Sequence, residues 1–263
     1  MITSSNFDYL MTTQGWITLP DQIPATQLQE LRHAVDCAYQ HCRHWQTKQG
    51  LTEKTTGSLH HLVGQAAALD QLLFDLPVLS HIRHYFNGSF ILNSYGGTMN
   101  FPESTPGAAS VYLRNIHRDI RIYTSHLRLM INVLVMIDDF TLDNGATWVL
   151  PGSHSCEARP SDNLFFQFGQ RLTGTAGSIV CFDSNLWHAA GVNYTPEVRR
   201  GLTITFTLPF YKQQMDYPRF LSHEYADKLT EEQRQLLGYD ARIPTTYAEW
   251  YQPAETRLYK EVI

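Results

Sequence analysis

Two patterns of apolar residues divide the chain into a helical part and a β-rich part. In the first third, apolar residues recur at steps of three and four over residues 28–42, after Pro24, and over residues 69–76, before Pro77. Such steps place side chains on one face of an α-helix. The pattern predicts two amphipathic helices and further helical turns over residues 78–86, with short strands between helices, as scaffold rather than as a site.

From Ser89 onward the pattern changes to one that predicts β-structure. Five runs are rich in Val, Ile, Thr and aromatic residues, and turn-forming Gly, Pro and Asn residues separate them. The predicted strands cover residues 90–95, 126–137, 146–150, 178–182 and 199–209. Many strands at short spacing, without helices between them, predict an antiparallel barrel or sandwich.

Helix is predicted again towards the end of the chain. Residues 226–237 have a helical pattern, and Thr230 and Gln233 have the spacing of a capping box. No internal repeat, low-complexity tract or linker interrupts the sequence. We therefore expect one mainly β domain with flanking helices over residues 1–263, in which a helical first third and a helical tail support a core of about residues 90–210.

The composition is that of a folded enzyme rather than of a disordered or fibrous protein. Hydrophobic residues make up 43% of the 263 residues, and charged residues make up 17%. The 20 Lys and Arg residues are scattered and are outnumbered by 25 Asp and Glu residues, which gives a formal net charge of −5. A nucleic-acid partner is therefore not expected.

No segment has the character of a membrane span or of a secretion signal. The longest apolar stretch, residues 129–137, contains Asn132 and is far shorter than the roughly 20 residues that cross a bilayer. The first residues lack a basic region followed by an apolar one. The four cysteines form no Cys-x-x-Cys pair, so we expect reduced thiols, no thiolate zinc site and a cytoplasmic location.

A His-x-Asp pair at His117 and Asp119 is the first candidate for chemistry. Side chains alternate along an extended chain, so these two project to one face while Arg118 points away. One imidazole and one carboxylate are two of the three ligands that hold non-haem Fe(II) and leave positions open for co-substrates. A distant histidine is required as the third ligand, because the pair alone arises often by chance in a chain with 12 histidines.

His188 is the candidate third ligand, and Arg199 is a candidate anion site. His188 follows an apolar strand and a turn, and Arg199 begins the next predicted strand eleven residues later. A guanidinium at the start of a mostly apolar strand must pair with an anion or reach solvent, and its geometry matches a carboxylate. The four residues together predict a metal triad with a carboxylate anchor, which is far more specific than any one of them.

With these residues, the sequence resembles the phytanoyl-CoA dioxygenase family, whose members are Fe(II)- and 2-oxoglutarate-dependent oxygenases built on a double-stranded β-helix (a jelly-roll, cupin-like core). The resemblance covers roughly residues 90–210 in order. It rests on the following motifs: His117-x-Asp119, Asp138-Asp139-Phe140, Asn144-Gly145, Pro151-Gly152-Ser153-His154, Gly177-Ser178, His188, Asn193 and Arg199-Arg200. The first third is only loosely similar to the family, and the tail after Pro209 hardly at all.

The resemblance implies roles for individual residues. It assigns iron binding to His117, Asp119 and His188. It pairs Arg199 with the distal carboxylate of 2-oxoglutarate; Arg200 is the alternative, because only one of two neighbours on a strand faces the interior. The family spacing favours Arg199. Asn132 is a further candidate, which either hydrogen-bonds the co-substrate or is a core Asn bonded to the backbone.

The implied reaction is the oxidation of a small-molecule metabolite. Fe(II) is the implied cofactor, and 2-oxoglutarate and O2 are the implied co-substrates, with succinate and CO2 formed as the substrate is hydroxylated or otherwise oxidised. Related halogenases lack the carboxylate ligand, so the presence of Asp119 disfavours halogenation. No basic cluster near the predicted mouth suits a CoA phosphate, which favours a free metabolite.

Two other functions remain open at this level. A cupin-like metal isomerase or dioxygenase would use no 2-oxoglutarate, and Arg199 would then bind the carboxylate of the substrate itself. A catalytically idle barrel would sense or transport a small ligand, although such a barrel has no need of three metal ligands.

Several other polar residues have structural interpretations. His154 is expected in a turn after a strand rather than at a metal. His60 and His61 are neighbours on the chain and are expected to point in different directions, so that a substrate contact or a solvated turn is favoured over a metal pair. Three residues near two glycines are candidates for the pocket mouth: Asn93, Tyr95 and Asn100.

Overall fold

Helices dominate the first third of the chain, with two short strands between them. Strands dominate the middle of the chain, and short helices follow the last strand. The computed structural model describes residues 3–104, 115–125 and 127–253. Its helices are α1 (Ser4–Thr13), α2 (Ala25–Lys48), α3 (Ala67–Phe74), α4 (Leu79–Phe86), α5 (Asp162–Phe168), α6 (Tyr217–Phe220), α7 (His223–Ala226), α8 (Glu231–Leu237) and α9 (Tyr247–Trp250). Its strands are β1 (Trp16–Leu19), β2 (Ser58–His60), β3 (Ile91–Asn100), β4 (Met130–Met136), β5 (Thr147–Val149), β6 (Gln170–Leu172), β7 (Ile179–Asp183), β8 (His188–Ala189) and β9 (Arg199–Thr207).

The strands form two antiparallel sheets that pack against each other. The larger sheet has the order β1-β7-β4-β9-β3-β2, and the smaller sheet has the order β6-β5-β8. Leu134 and Val180 of the larger sheet share a buried cluster with Val149 and Leu172 of the smaller one. This arrangement is a jelly-roll-type core, and the predicted mainly β fold with flanking helices is confirmed.

The helices cover the outer face of the larger sheet. Because side chains alternate along a strand, Val133 and Val135 of β4 and Ile204 of β9 project away from the smaller sheet. These residues belong to one buried cluster with Leu31 and Val35 of α2. The first-third helices therefore act as the predicted scaffold, and the inner face of the sheet is left for a site. None of the described helices is both long enough and apolar enough to cross a membrane.

The helix predicted over residues 226–237 is wrong as one continuous element. In the structure α7 ends at Ala226, and α8 begins at Glu231. Thr230 Oγ1 accepts a hydrogen bond from the Gln233 amide at 3.2 Å, and Gln233 Oε1 accepts one from the Thr230 amide at 3.0 Å. The predicted capping box is thus confirmed. Such a box satisfies the free amides at the start of a helix, so a new helix begins here and the predicted helix over residues 226–237 is divided in two.

Two other expectations about the strands also differ from the structure. The β-rich part does contain a helix, α5, whose start is capped by the Ser161 side chain. Strand β3 continues to Asn100 instead of ending near Tyr95. It passes through Gly96, where a Cβ atom would lie 2.4 Å from the Leu59 carbonyl oxygen. The glycine is therefore required by the close approach of β2 rather than by a turn. Of the predicted strand over residues 126–137, residue 126 lies outside the described residues.

The capping box supplies a prediction about stability. Thr230→Ala removes the acceptor for the Gln233 amide and should lower the free energy of unfolding by about 1 kcal/mol, as for other N-cap losses. Thr230→Ser keeps the hydroxyl and should stay near the wild-type value. Urea denaturation followed by circular dichroism measures both variants, and an equal loss in the two would contradict the role of the cap.

Candidate active site

Backbone pairing between two distant segments brings the candidate ligands together. The His117 amide donates to the His188 carbonyl oxygen at 2.9 Å, and the His188 amide donates back at 2.8 Å. The Asp119 and Ile120 amides both donate to the Ser184 carbonyl oxygen, at 3.1 and 3.2 Å. The His-x-Asp segment is therefore fixed beside the turn that precedes β8. Ser184 was not found from the sequence, because a backbone carbonyl has no residue-type pattern.

The three side chains converge on one point. His117 Nε2 lies 3.6 Å from Asp119 Oδ1, and His188 Nε2 lies 3.7 Å from Asp119 Oδ2. One ligand atom of each residue lies within 4.8 Å of those of the other two. In each histidine the opposite nitrogen, Nδ1, faces a carbonyl oxygen: that of Asn115 at 2.7 Å for His117 and that of Leu186 at 2.9 Å for His188.

The environment keeps these ligands ready for a cation. An Nδ1–H that donates to a carbonyl makes Nε2 the acceptor nitrogen, which is the usual arrangement of metal-binding histidines. Burial, with a smaller contribution from the neighbouring His117, lowers the pKa of His188 to about 4, although the charge of Asp119 opposes the shift. His188 is therefore neutral near pH 7, as a metal ligand must be. Two imidazoles and one carboxylate fit Fe(II) with positions left open.

The triad opens into a cavity between the two sheets. The cavity has a volume of about 540 Å³ and is lined by residues of both sheets and of the His-x-Asp segment. Its apolar wall includes Met130, Leu134 and Phe182, and its polar wall includes Thr203 and Thr205. A cavity of this size holds a small organic molecule, within the range of about 300 to 1,000 Å³ that such sites have.

Arg199 lies on the wall of the same cavity, and it has no negatively charged partner among the described residues. It is 3% exposed, and its guanidinium carbon lies 3.9 Å from the centre of the Phe140 ring. One terminal nitrogen donates to the Gly145 carbonyl oxygen at 3.1 Å, and the buried Nε has no partner among the described residues. Burial lowers the pKa of Arg199 to about 9. A buried guanidinium left unpaired in this way is suited to a carboxylate that enters the cavity.

Arg200 points to the other face of the sheet. Its Nε donates to Asp36 Oδ1 at 2.7 Å, and one terminal nitrogen donates to Asp138 Oδ2 at 3.1 Å. The alternative that the sequence left open, Arg200 as the co-substrate residue, therefore has its charge already satisfied by carboxylates. Asp138 also pairs with Arg32 of α2 at 2.8 Å, so Arg200 ties the sheet to the helical layer.

The Asn-Gly motif and its neighbours hold Arg199 in place. Gly145 has a φ of +83°, and its carbonyl oxygen is the acceptor for Arg199. Asn100 donates to the carbonyl oxygens of Gly145 at 3.4 Å and of Gly191 at 3.0 Å. Asn193 in turn donates to the Asn100 carbonyl oxygen at 2.8 Å. Asn100 therefore braces the loops beside Arg199 instead of lining the mouth.

Asn132 lies on the cavity wall, but its amide is already hydrogen-bonded. Its Nδ2 donates to Ser184 Oγ at 2.9 Å, and its Oδ1 accepts from Thr205 Oγ1 at 2.7 Å. These partners are side chains, so the residue is not the backbone-bonded core Asn that was one alternative. A contact between Asn132 and the co-substrate stays a prediction.

The remaining polar candidates separate into two groups. His154 lies in a 3₁₀ turn, with Nε2 3.1 Å from the Thr12 carbonyl oxygen, and it is not among the residues that line the cavity. Asn93 is fully buried and donates to the Lys212 carbonyl oxygen at 3.1 Å. His60 and His61, in contrast, both line the cavity of the triad.

Comparison with known proteins identifies the family. The model of the phytanoyl-CoA dioxygenase (PhyH) family matches residues 11–201. The uncharacterized protein Rv1501 of Mycobacterium tuberculosis is 36% identical over 193 residues, which are 73% of this chain and 66% of that protein. Dioxygenase cdmA of Talaromyces verruculosus is 29% identical over 140 residues, which are 49% of this chain and 46% of that protein.

A solved structure shows the same fold at low sequence identity. HygX of Streptomyces hygroscopicus, determined with nickel and 2-oxoglutarate bound, aligns with a TM-score of 0.62 at 14% identity, over 81% of this chain and 90% of its own. The family that the sequence resembles is thus confirmed, and the alignment with HygX confirms the predicted fold. The family match, the jelly-roll sheets and the His-Asp-His cluster agree: this chain belongs to the phytanoyl-CoA dioxygenase family.

Proposed function

We propose that this protein is an Fe(II)- and 2-oxoglutarate-dependent oxygenase that hydroxylates or otherwise oxidises a small-molecule metabolite. The observation that supports this most strongly is Arg199, a buried guanidinium without a carboxylate partner on the wall of the cavity that contains the triad. A metal site alone would fit many enzymes. A metal site that shares a cavity with an unpaired guanidinium fits a dicarboxylate that binds at both.

Each group of the site has a distinct task in this reaction. His117, Asp119 and His188 would hold the iron through three ligand atoms, and the carbonyl oxygens at Nδ1 keep both imidazoles in the required tautomer. Arg199 would pair with the distal carboxylate of 2-oxoglutarate and so fix its orientation. When bound, the iron would supply O2 activation coupled to the loss of CO2 from 2-oxoglutarate.

The walls of the cavity control water and charge. Met130, Leu134 and Phe182 form the apolar part of the lining, which limits the access of water to the reacting atoms. The Asp119 carboxylate offsets part of the charge of a divalent cation. Arg199 would offset the charge of one carboxylate of the incoming dianion.

Succinate release tests the proposal. Purified protein with Fe(II), 2-oxoglutarate, ascorbate and air should convert 2-oxoglutarate to succinate, and omission of iron or of O2 should stop the conversion. A metal enzyme that does not use 2-oxoglutarate would bind iron without releasing succinate, and an idle ligand-binding barrel would show no metal-dependent turnover. Either result would contradict the proposal.

Asp119 leads to a prediction about the reaction type. As a carboxylate ligand, it occupies the place that a halide would need, so the wild-type protein should release an oxidised and halogen-free product even in high chloride. Asp119→Gly should bind Fe(II) more weakly and give little turnover, because no group is arranged to hold a halide. Mass spectrometry of the product checks this, and chlorinated product from the wild-type protein would overturn the role of Asp119.

A further inference from the structure

His60 is a cavity-facing residue at the edge of the larger sheet. In the ladder, His60 pairs with Gly96, Gly96 pairs with Thr203, and Thr203 pairs with Leu134. Residues that pair directly across antiparallel strands project to the same face. Thr203 and Leu134 line the cavity, so the His60 side chain faces it as well, and His60 is one of its lining residues.

Gly96 keeps the cavity open between His60 and the rest of the wall. It has no side chain, and a Cβ atom there would meet the Leu59 carbonyl oxygen at 2.4 Å. The position between His60 and Thr203 therefore contributes only backbone to the cavity surface. A ligand that reaches from the triad along Thr203 meets the His60 imidazole next.

His61 also lines the cavity, and its backbone conformation is unusual. Its φ is +55°, in the left-handed region that non-glycine residues rarely adopt. The ring centroids of His60 and His61 lie 6.3 Å apart, and the His61 ring also lies 6.4 Å from that of the buried Tyr217. The sequence-based expectation that the neighbours point in different directions stays a prediction. The Gln65 side chain holds the turn by donating to the His61 carbonyl oxygen at 3.0 Å.

The two imidazoles have hydrogen-bonding capacity to spare and little charge. The buried Nδ1 of His61 has no hydrogen-bond partner among the described residues. Burial lowers the pKa of both histidines, and the proximity of His60 lowers that of His61 further. Neutral imidazole has one donor and one acceptor nitrogen. A strained residue with an unsatisfied buried nitrogen beside a metal triad is typical of a functional position.

The charges of the described lining residues disfavour a cationic ligand. Among the described lining residues, the only carboxylate is that of Asp119, which belongs to the triad. The cationic residues of the lining are Lys54, Arg118, Arg121 and Arg199, so the sequence-based expectation of no basic cluster near the mouth is wrong. A substrate with a positive charge would meet no anionic group there except the metal ligand. Hydroxyl, carbonyl or carboxylate oxygens, in contrast, suit both the imidazoles and the cationic lining.

We propose that His60 and His61 are the substrate-recognition residues of this cavity and that they hydrogen-bond an oxygen-bearing, non-cationic group of the substrate. This assignment rests on the proposed oxygenase function. It places the substrate between the triad and strand β2, with its recognised oxygen at the edge of the larger sheet.

The test compares substrate kinetics in matched histidine variants. A metabolite library, sorted into amine-bearing cations and oxygen-bearing non-cations, is first screened for compounds that stimulate succinate release by the wild-type protein. For such a compound, His60→Phe keeps the ring volume and loses the hydrogen bonds, and KM should rise roughly tenfold, the effect of about one hydrogen bond. His60→Gln should restore part of the loss, and His61→Asn, which tolerates the left-handed backbone, should raise KM as well.

The control is His44→Phe, an exposed histidine on α2 whose ring lies against Trp45. It should leave the KM of the stimulating compound unchanged. Stimulation by cations alone, by no compound of the library, or with a KM that His60→Phe and His61→Asn do not change would overturn the recognition role. A wild-type protein that forms no succinate under any condition would instead show that the proposed function itself has failed.

Discussion

His188→Ala should abolish iron binding and turnover while the fold persists. Removing one of three ligands leaves two, and loss even of a group that only orients a ligand costs roughly 10- to 100-fold in metal affinity or activity. We therefore expect Fe(II) affinity and succinate release to fall by roughly a hundredfold or more. The core is built from buried apolar clusters on both faces of the larger sheet, so the variant should stay folded.

His44→Ala is the matched control for this loss. His44 is exposed on the surface of α2 and lies outside the cavity. Iron titration by calorimetry, succinate release and circular dichroism are measured on both variants. A His188→Ala protein with full activity would contradict the assignment of the triad.

Arg199→Ala should weaken 2-oxoglutarate binding with little change in iron binding. The variant leaves the distal carboxylate of the co-substrate unpaired in a poorly solvated cavity, and we expect the apparent affinity to fall roughly a hundredfold, or about 2.7 kcal/mol. Arg199→Lys keeps the charge and loses the bidentate geometry, so its affinity for 2-oxoglutarate should lie between those of the wild-type protein and Arg199→Ala. The KM for 2-oxoglutarate in the succinate assay measures each variant.

Arg200→Ala is the control next to it on the same strand. Arg200 pairs with Asp36 and Asp138 on the opposite face, so its loss should lower the melting temperature and leave the KM for 2-oxoglutarate near the wild-type value. Loss of 2-oxoglutarate affinity from Arg200→Ala and none from Arg199→Ala would show that the assignment of these two residues is reversed.

The candidate metal ligands that the structure brings together were named from the sequence, because the geometry of the His-x-Asp pair is local. Alternation along an extended chain places His117 and Asp119 on one face, and the family spacing then points to His188 and Arg199. The choice between Arg199 and Arg200 needed the structure, because a shift of one residue in register exchanges the two faces of a strand. The capping box at Thr230 could be predicted from the sequence. That it ends the predicted helix over residues 226–237 and starts a separate one could not, because the apolar pattern continues across it.

The sequence left a substrate contact or a solvated turn open for His60 and His61, but it could not show that both line the cavity. Strand β2 is three residues long, too short for a periodic pattern, and its pairing with Gly96 is a tertiary contact. His61 has a left-handed backbone, which residue type does not predict for a histidine. The brace from Asn100 to Gly145 likewise joins segments that are distant in the sequence.

Anaerobic titration followed by visible absorption tests whether the protein binds Fe(II) and 2-oxoglutarate at one site. One equivalent of Fe(II) per chain, with 2-oxoglutarate present and O2 excluded, should give the charge-transfer band of an iron-bound 2-oxo acid. The band should be absent in His188→Ala and should need far more 2-oxoglutarate in Arg199→Ala. A wild-type protein that binds iron without this band, or a band of wild-type intensity in His188→Ala, would contradict the account.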